Sequence, residues 1–561
     1  MARDGSKLHP YVPKLIEQVR ERKIDRREFL WTSTLLGLSA SSAYGVLGMS
    51  DPFAKRAAAA PASGGVYRIS MRIPALDNPH TYSWATDSLS ARLVCDYLTR
   101  TAQDNVTRPW LCERWDASED LKTWTLHLRQ GVKWSNGDPL VADHVIWNMK
   151  RWLDENVGSS ILGLMASYMT VEVDLGAKDA NGKPKKSKKL WADNAIEKVD
   201  DHTVRINGRV PQLAVPEHLF HYPALILHPS ENGKFGKGSI GTAPYSMVEY
   251  EVGKIVVAKR REGYWGKPVA IETIEVHDLG DDPGATIAAL AAGQVDGNYD
   301  TDLSQIEALK QMDRLKMYQV TTAQTGVARM QPTHDEWKDP RVRKAMRLAL
   351  DTEKLLQLAH RGLGAPGEHH HAAPVVPDYY KLPFMKQDIP AAKKLLAEAG
   401  VPNGFKTEIF CKKSPEWEGI AVQAMAEMWK QIGVEVKINI LPSTHYWDIW
   451  NAPTAGFAFT PWTHRPLGVM LYGLAYRTGG VWNESFWSNK DFDAALEKAE
   501  GTYEVEKRRE IMKVMEQIML DDGPAAIPLW RAVVAFHDKR LKGFQAHPTS
   551  YFFAEDWSLE A

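Results

Sequence analysis

From Gly64 onward, apolar positions recur in two alternating rhythms. Thr123 to Arg129 sets Trp124, Leu126 and Leu128 against polar neighbours at every second position, as a half-buried strand does, and Val204 to Val210 repeats the pattern. Arg341 to His360 changes period. Val342, Ala345, Met346, Ala349 and Leu350 fall on one helical face, and Asp351 is placed to cap a second helix that stops near Gly362. Thr407 to Cys411 reads as a strand and Glu418 to Ile432 as a helix with Met425, Met428, Trp429 and Ile432 on one face; Val434 to Ile440 alternates with Glu435, Lys437 and Asn439. Such a βαβ unit favours a right-handed crossover between parallel strands, so the second half of the chain is expected to own a sheet. The mixture predicts α/β architecture rather than a bundle or a sandwich, without a repeat of fixed period.

Length turns this pattern into more than one compact unit, because 561 residues exceed what one hydrophobic core usually serves. A formal net charge of −1 gives no electrostatic case for nucleic acid. Residues 1–62 hold 10 Lys and Arg against 6 Asp and Glu, which leaves the remainder mildly acidic. The one basic run, Lys183, Lys185, Lys186, Lys188 and Lys189, lies in a Gly- and Lys-rich stretch from Leu175 to Leu190 and reads as a solvated hairpin loop.

Signatures of common hydrolase, metalloprotease and nucleotide sites are missing: no G-x-S-x-G, H-E-x-x-H or G-x-x-x-x-G-K-[ST] occurs. Gly233 to Ser239 comes nearest to a phosphate loop, but its glycines are wrongly spaced and Pro244 interrupts the helix such a loop needs. Cys95, Cys112 and Cys411 are too few and too scattered for a disulfide framework or a zinc site; they read as buried thiols, with a Cys95–Cys112 bridge left open. His369, His370 and His371 have the side chains of a metal site, yet adjacent imidazoles make a poor one, and the flanking Gly364, Pro366, Pro374 and Pro377 set them in a loop. Of 20 tryptophans, Trp447, Trp450, Trp462, Trp482 and Trp487 crowd one region with Tyr446, Tyr472 and Tyr476; most are expected in the core, and two or three along a ligand cleft.

Arg26-Arg27 followed by Phe29-Leu30 resembles the twin-arginine export signal. The stretch Trp31 to Met49 is too diluted by Ser, Thr and Gly for a membrane anchor, and Ala57 to Ala62 offers small residues for processing near Ala62. No cysteine follows to take a lipid, so a soluble periplasmic product is expected.

Four further stretches occur in order and resemble the peptide/nickel-type (family 5) solute-binding proteins. They are Leu111 to Trp134 continuing to Val145; Gly241 to Tyr245 with Gly263 to Gly266; Ala285 to Asp296 with Asp339 to Leu350; and Ile527 to Leu529. The resemblance implies a two-lobed α/β periplasmic binding protein (type II, cluster C-like) with an extra subdomain in lobe I. Its parts would be an export and processing region at 1–62, lobe I at 63–110, 201–320 and 526–561, the extra subdomain at 111–200, and lobe II at 321–525. It implies a monomer without cofactor that captures a small-molecule or peptide-like ligand for an ABC permease and ATPase complex and catalyses nothing. Peptide binders of this family commonly carry an Asp-Pro-rich stretch after the βαβ unit, whose carboxylate pairs the ligand's amino terminus. The matching segment here, Phe459 to Gly468, has no acid but contains Arg465. An arginine suits a carboxylate or phosphate, so a modified amino-acid or opine-like solute is expected, unless Arg465 meets an internal Glu. The candidate contacts are Tyr82, Trp84, Tyr245, His371, Trp462, His464 and Arg465. Nickel-chelate or haem capture through His369 to His371 or His464 is one alternative, and a periplasmic hydrolase on a clamp scaffold is another.

Overall fold

The computed structural model describes residues 8–53, 64–178 and 184–560. Three sheets organise them. In the first, the strands run in the order Tyr245–Glu251, Ile255–Arg260, Thr273–His277, Val66–Ser70, Gly297–Asn298, Leu529–Asp538 and Leu315–Thr321, with Gly364–Pro366 also on Leu529–Asp538. Val66–Ser70 lies parallel to Thr273–His277 at its centre, where Tyr67, Ile69, Ile274 and Val276 are fully buried. A separate antiparallel sheet of Cys112–Ala117, Thr123–Leu128, Thr203–Asn207 and Ile196–Asp200 flanks it, and Trp124, Leu126 and Leu128 turn inward at every second position. These two sheets form lobe I.

Lobe II is built on the order Glu435–Leu441, Lys406–Lys412, Phe457–Trp462, Thr325–Met330 and Ala525–Ala526. Lys406–Lys412 and Glu435–Leu441 are parallel, and helix Glu416–Lys430 joins them while burying Trp417, Val422, Met425 and Trp429. Helix Pro340–Leu348 starts on Asp339, whose carboxylate accepts from the Arg341 N–H, and helix Thr352–His360 starts on Asp351. The first of these also buries two cations. Arg347 donates to the Leu520 and Gly523 carbonyls (2.9 and 2.6 Å), and Arg343 reaches Asp522 Oδ1 (2.6 Å). Positive charge at the C-terminus of helix Val505–Asp521 satisfies its orphan carbonyls and ties that helix to lobe II.

The chain crosses between lobes twice, at residues 322–324 and 527–528. Gly367 packs against the second crossing, where a side chain would overlap the Ile527 carbonyl. Around the basic run, strands Thr170–Lys178 and Pro184–Leu190 pair as a solvated hairpin in which Lys186 meets Glu172 at 3.0 Å; the turn with Lys183 lies outside the described residues. The Cys95–Cys112 bridge is not formed: all three cysteines are free and buried, and the Cys112 thiol donates to the Arg114 carbonyl instead.

Residues 8–53 fold into helices Val12–Arg20, Arg26–Leu35 and Ala40–Val46. The second starts with a capping box in which Asp25 accepts from the Glu28 N–H (2.9 Å) and Glu28 from the Asp25 N–H (3.3 Å). Arg26 and Arg27 stay on the surface, whereas Phe29, Trp31 and Leu35 enter the main core. The expected processing stretch Ala57 to Ala62 lies outside the described residues. Among the described residues no helix is long and apolar enough to cross a membrane.

Candidate functional site

Between the lobes lies a cavity of about 140 Å³ walled mainly by aromatic rings. Lobe I contributes Ser83, Trp84 and Tyr222; lobe II contributes Trp447, Trp450, Trp462, Trp482 and Arg465. The rings brace one another across the gap. Trp84 sits 4.6 Å from Trp447, and Trp482 touches Tyr222, Trp450 and Trp462 at 6.5, 6.3 and 6.0 Å, distances at which ring pairs attract. A larger depression of about 710 Å³ lies over the outer face of lobe II, but it is open and edged by Lys406, Glu408, Lys430, Glu435 and Lys437, as a solvated surface is.

Among the described residues, Arg465 is the one charged side chain on the cavity wall, and it is only 4% exposed. Its Nη1 donates to the Thr463 carbonyl (3.2 Å), the Thr463 hydroxyl and the His464 carbonyl (3.1 Å), and Nη2 donates to the Tyr222 hydroxyl (3.0 Å). Nε has no partner, and among the described residues no carboxylate pairs with the guanidinium. The buried acid nearest in sequence, Glu484, is spent behind the wall: it accepts from Arg329 (2.8 Å), the Thr460 hydroxyl (2.6 Å) and Trp462 Nε1 (2.8 Å). A buried cation supplied only with neutral acceptors is costly to keep, and a bound anion offsets that cost.

Behind Arg465 the space narrows to about 20 Å³, room for about one water, between Asn105, Glu217, His221, His464 and His547. Glu217 Oε1 accepts from Trp31 Nε1 (3.2 Å) and the Thr107 hydroxyl (2.9 Å), while Oε2 is buried without a partner. Burial pushes its carboxyl up to about 8, so it is largely protonated at neutral pH. His464 Nδ1 accepts from the Ala323 N–H at the first crossing (3.1 Å), which leaves Nε2 to donate to Asn105 Oδ1 in lobe I (3.0 Å). Desolvation holds this imidazole neutral, well below its ordinary range.

Four of the seven residues picked from sequence therefore converge: Trp84, Trp462 and Arg465 on the cavity and His464 directly behind it. The other three do not reach it. Tyr82 is buried with its hydroxyl on the Leu76 carbonyl (2.9 Å), and Tyr245 opens a lobe I strand with its hydroxyl on the Ile271 carbonyl (3.1 Å). His371 is fully buried; its Nδ1 bonds the Tyr476 hydroxyl (2.6 Å), and its ring stacks on Trp530 and meets Trp462 edge-on, so it props the wall from behind. His369 Nδ1 accepts from the Ile527 N–H (3.0 Å) at the second crossing. Among the described residues no three His, Cys, Asp or Glu side chains converge to hold a metal. Trp447, Trp450 and Trp482 belong to the tryptophan-rich stretch and with Trp462 make four on the cavity, where two or three were expected; Tyr222 carried no signal at all.

Comparison with known proteins places this geometry. Residues 106–483 match the model of the bacterial extracellular solute-binding proteins, family 5. The dipeptide-binding protein DppE of Bacillus subtilis is 23% identical over 477 residues, covering 82% of this chain and 85% of its own length. The ABC transporter-associated periplasmic binding protein DppA of Helicobacter pylori, solved with the peptide STSA, superposes with a TM-score of 0.74 at 19% identity, covering 89% of this chain and 99% of its own. AgaA of Agrobacterium tumefaciens R10, solved with agropinic acid, does so with a TM-score of 0.75 at 18% identity, over 89% and 99%. With well over half of its length inside the family model, the chain belongs to the bacterial extracellular solute-binding proteins of family 5, the capture components that serve ABC importers outside the cytoplasmic membrane.

Proposed function

We propose that this protein captures a small anionic, peptide-like or modified amino-acid solute of the opine kind, seats its carboxylate or phosphate on Arg465 and its flat or apolar body among the tryptophans, and delivers it unchanged to the permease. The observation that carries this reading is a buried arginine on an aromatic cavity, with no acid among the described residues to pair it. Volume narrows the solute. A cavity of about 150 Å³ takes benzene, so 140 Å³ suits a compact molecule better than an extended peptide in this closed form. Agropinic acid in a structural neighbour and the dipeptides of a named relative are compounds with carboxylates, which accords with an anion site.

That no reaction is catalysed is part of the proposal, because the wall offers aromatic rings, hydroxyls and one cation without an acid–base pair to move protons. Export by the twin-arginine route, with processing near Ala62, also belongs to it, supported by Arg26-Arg27 and the weakly apolar stretch after them. The nickel or haem alternative draws no support from the histidines, whose rings are buried in packing contacts.

Tryptophan fluorescence titration tests the reading with a panel of small carboxylates, phosphorylated amino acids and neutral dipeptides. Quenching by compact acids that is lost in Arg465→Met supports it. Equal binding of neutral dipeptides by both proteins overturns it.

A further inference from the structure

The helices of residues 8–53 do not lie on one lobe but span both. Trp31 shows this most directly. Its indole N–H donates to Glu217 of lobe I, and the guanidinium of Arg508, on the lobe II helix Val505–Asp521, lies 4.5 Å over its ring. Arg508 is fully buried, and among the described residues no carboxylate lies within bonding distance of it; it donates to the Thr502 carbonyl (3.0 Å) and to Thr32 of the segment (3.4 Å). Around this point the segment holds lobe I through the Leu35 carbonyl, which accepts from Trp115 Nε1 (2.9 Å), and through the Tyr44 hydroxyl, which donates to Asp104 (2.6 Å). It holds lobe II through Glu28, which pairs with Arg509, and through Arg27, which donates to the Val375 carbonyl (3.2 Å).

These contacts fix the distance between the lobes. The backbone passes between the lobes at two short crossings, and a clamp of that kind opens by a few backbone rotations at its hinges. Opening would pull Arg508 away from Glu217 and leave Trp31 able to follow only one of them. Either a buried cation loses its aromatic cover or a buried carboxyl loses a donor, and both losses are unfavourable. The segment therefore weights the equilibrium toward the closed form, as a ligand with contacts on both lobes does.

We infer that residues 8–53 are an inter-lobe strap that holds the clamp closed while it is docked, so that solute exchange requires the strap to be lifted or removed. The inference goes beyond the proposed solute and does not depend on its identity. It fits an export route that carries folded proteins: the precursor is locked, its arginine pair stays on the surface, and the apolar residues after the pair are sheltered.

Hydrogen exchange and solution scattering on the full chain test it. Trp31→Ala removes the bridging ring, Leu35→Asp forces charge into the strap's buried face, and Arg509→Gln loosens the strap from lobe II alone. The reporters are the Leu213 amide, which donates to the Glu500 carbonyl across the lobes (2.8 Å), and the radius of gyration. Amides of the central strands around Ile69 and Ile274 report whether each variant folds, and those of Arg26–Leu35 whether the strap has lifted. With the strap lifted and the strands still protected, Leu213 is expected to exchange about tenfold faster or more and the radius of gyration to rise. A radius that stays unchanged once the strap has lifted, whatever Leu213 does, overturns the inference. So does a strap in the unmodified chain whose amides exchange as fast as those of an unfolded peptide.

Discussion

At the scale of single residues, burying Arg465 beside neutral acceptors costs free energy that a bound anion returns. Arg465→Met is therefore expected to raise the melting temperature of the solute-free protein slightly while weakening solute binding by about 10- to 100-fold, in line with about 1.5–3 kcal/mol for a hydrogen bond to a charged group. Thermal melts with and without solute check both signs. Glu217 gives a pH test. Its carboxyl is raised from an ordinary 4.5 to about 8, chiefly by burial, with the charge of nearby Asp378 adding to it. The folded protein keeps a proton that the unfolded chain releases, so this group's stabilising contribution is full below about pH 4.5 and is lost as pH rises through 8, by up to about 1.4 kcal/mol per unit. Glu217→Gln can keep the bonds from Trp31 and Thr107 and should lose less stability than the unmodified protein between pH 5 and 8; parallel slopes in denaturant titrations would contradict this. Arg465 was legible in the sequence because a missing acid and a present arginine are local facts. Tyr222 was not, since its place on the wall depends on lobe II arriving opposite it, and Tyr82 and Tyr245 were misplaced because a tyrosine near a turn serves a core as readily as a cleft.

Elements were more legible than contacts. Helix Thr352–His360 capped by Asp351 and the parallel pair around Glu416–Lys430 follow from period and capping, which depend on neighbours in sequence. Trp429 anchors that unit with a fully buried ring whose Nε1 donates to the Met346 carbonyl (2.8 Å), so Trp429→Ala should cost about 3–5 kcal/mol in urea unfolding. Gly241, in the turn before Tyr245, packs so closely on the backbone of Val94 that a side chain would overlap its carbonyl. Gly241→Ala is expected to destabilise lobe I by about 1–3 kcal/mol or more, read as a lower denaturation midpoint; an unchanged midpoint would mean that the turn yields freely. What pattern alone did not show was that Arg343 and Arg347, polar in sequence, serve the end of another helix more than 170 residues away. The apolar stretch after Arg26-Arg27 is the same kind of case, since its composition reads as an export address while its helices pack against residues of both lobes.

For the whole molecule, the arrangement of two lobes, two crossings and one part-open aromatic cavity between them accounts for solute capture. Lobe I and lobe II each own part of the wall, and His464 links the first crossing to Asn105, so closing the lobes and completing the site are one event. The most direct test is native mass spectrometry of the protein purified from its own envelope without added ligand, with the released solute identified by accurate mass. A compact organic acid that is present on the unmodified protein and absent from Arg465→Met is the predicted result. A ladder of neutral peptides, a metal-bearing adduct, or an adduct retained undiminished by Arg465→Met would contradict an anion site on Arg465.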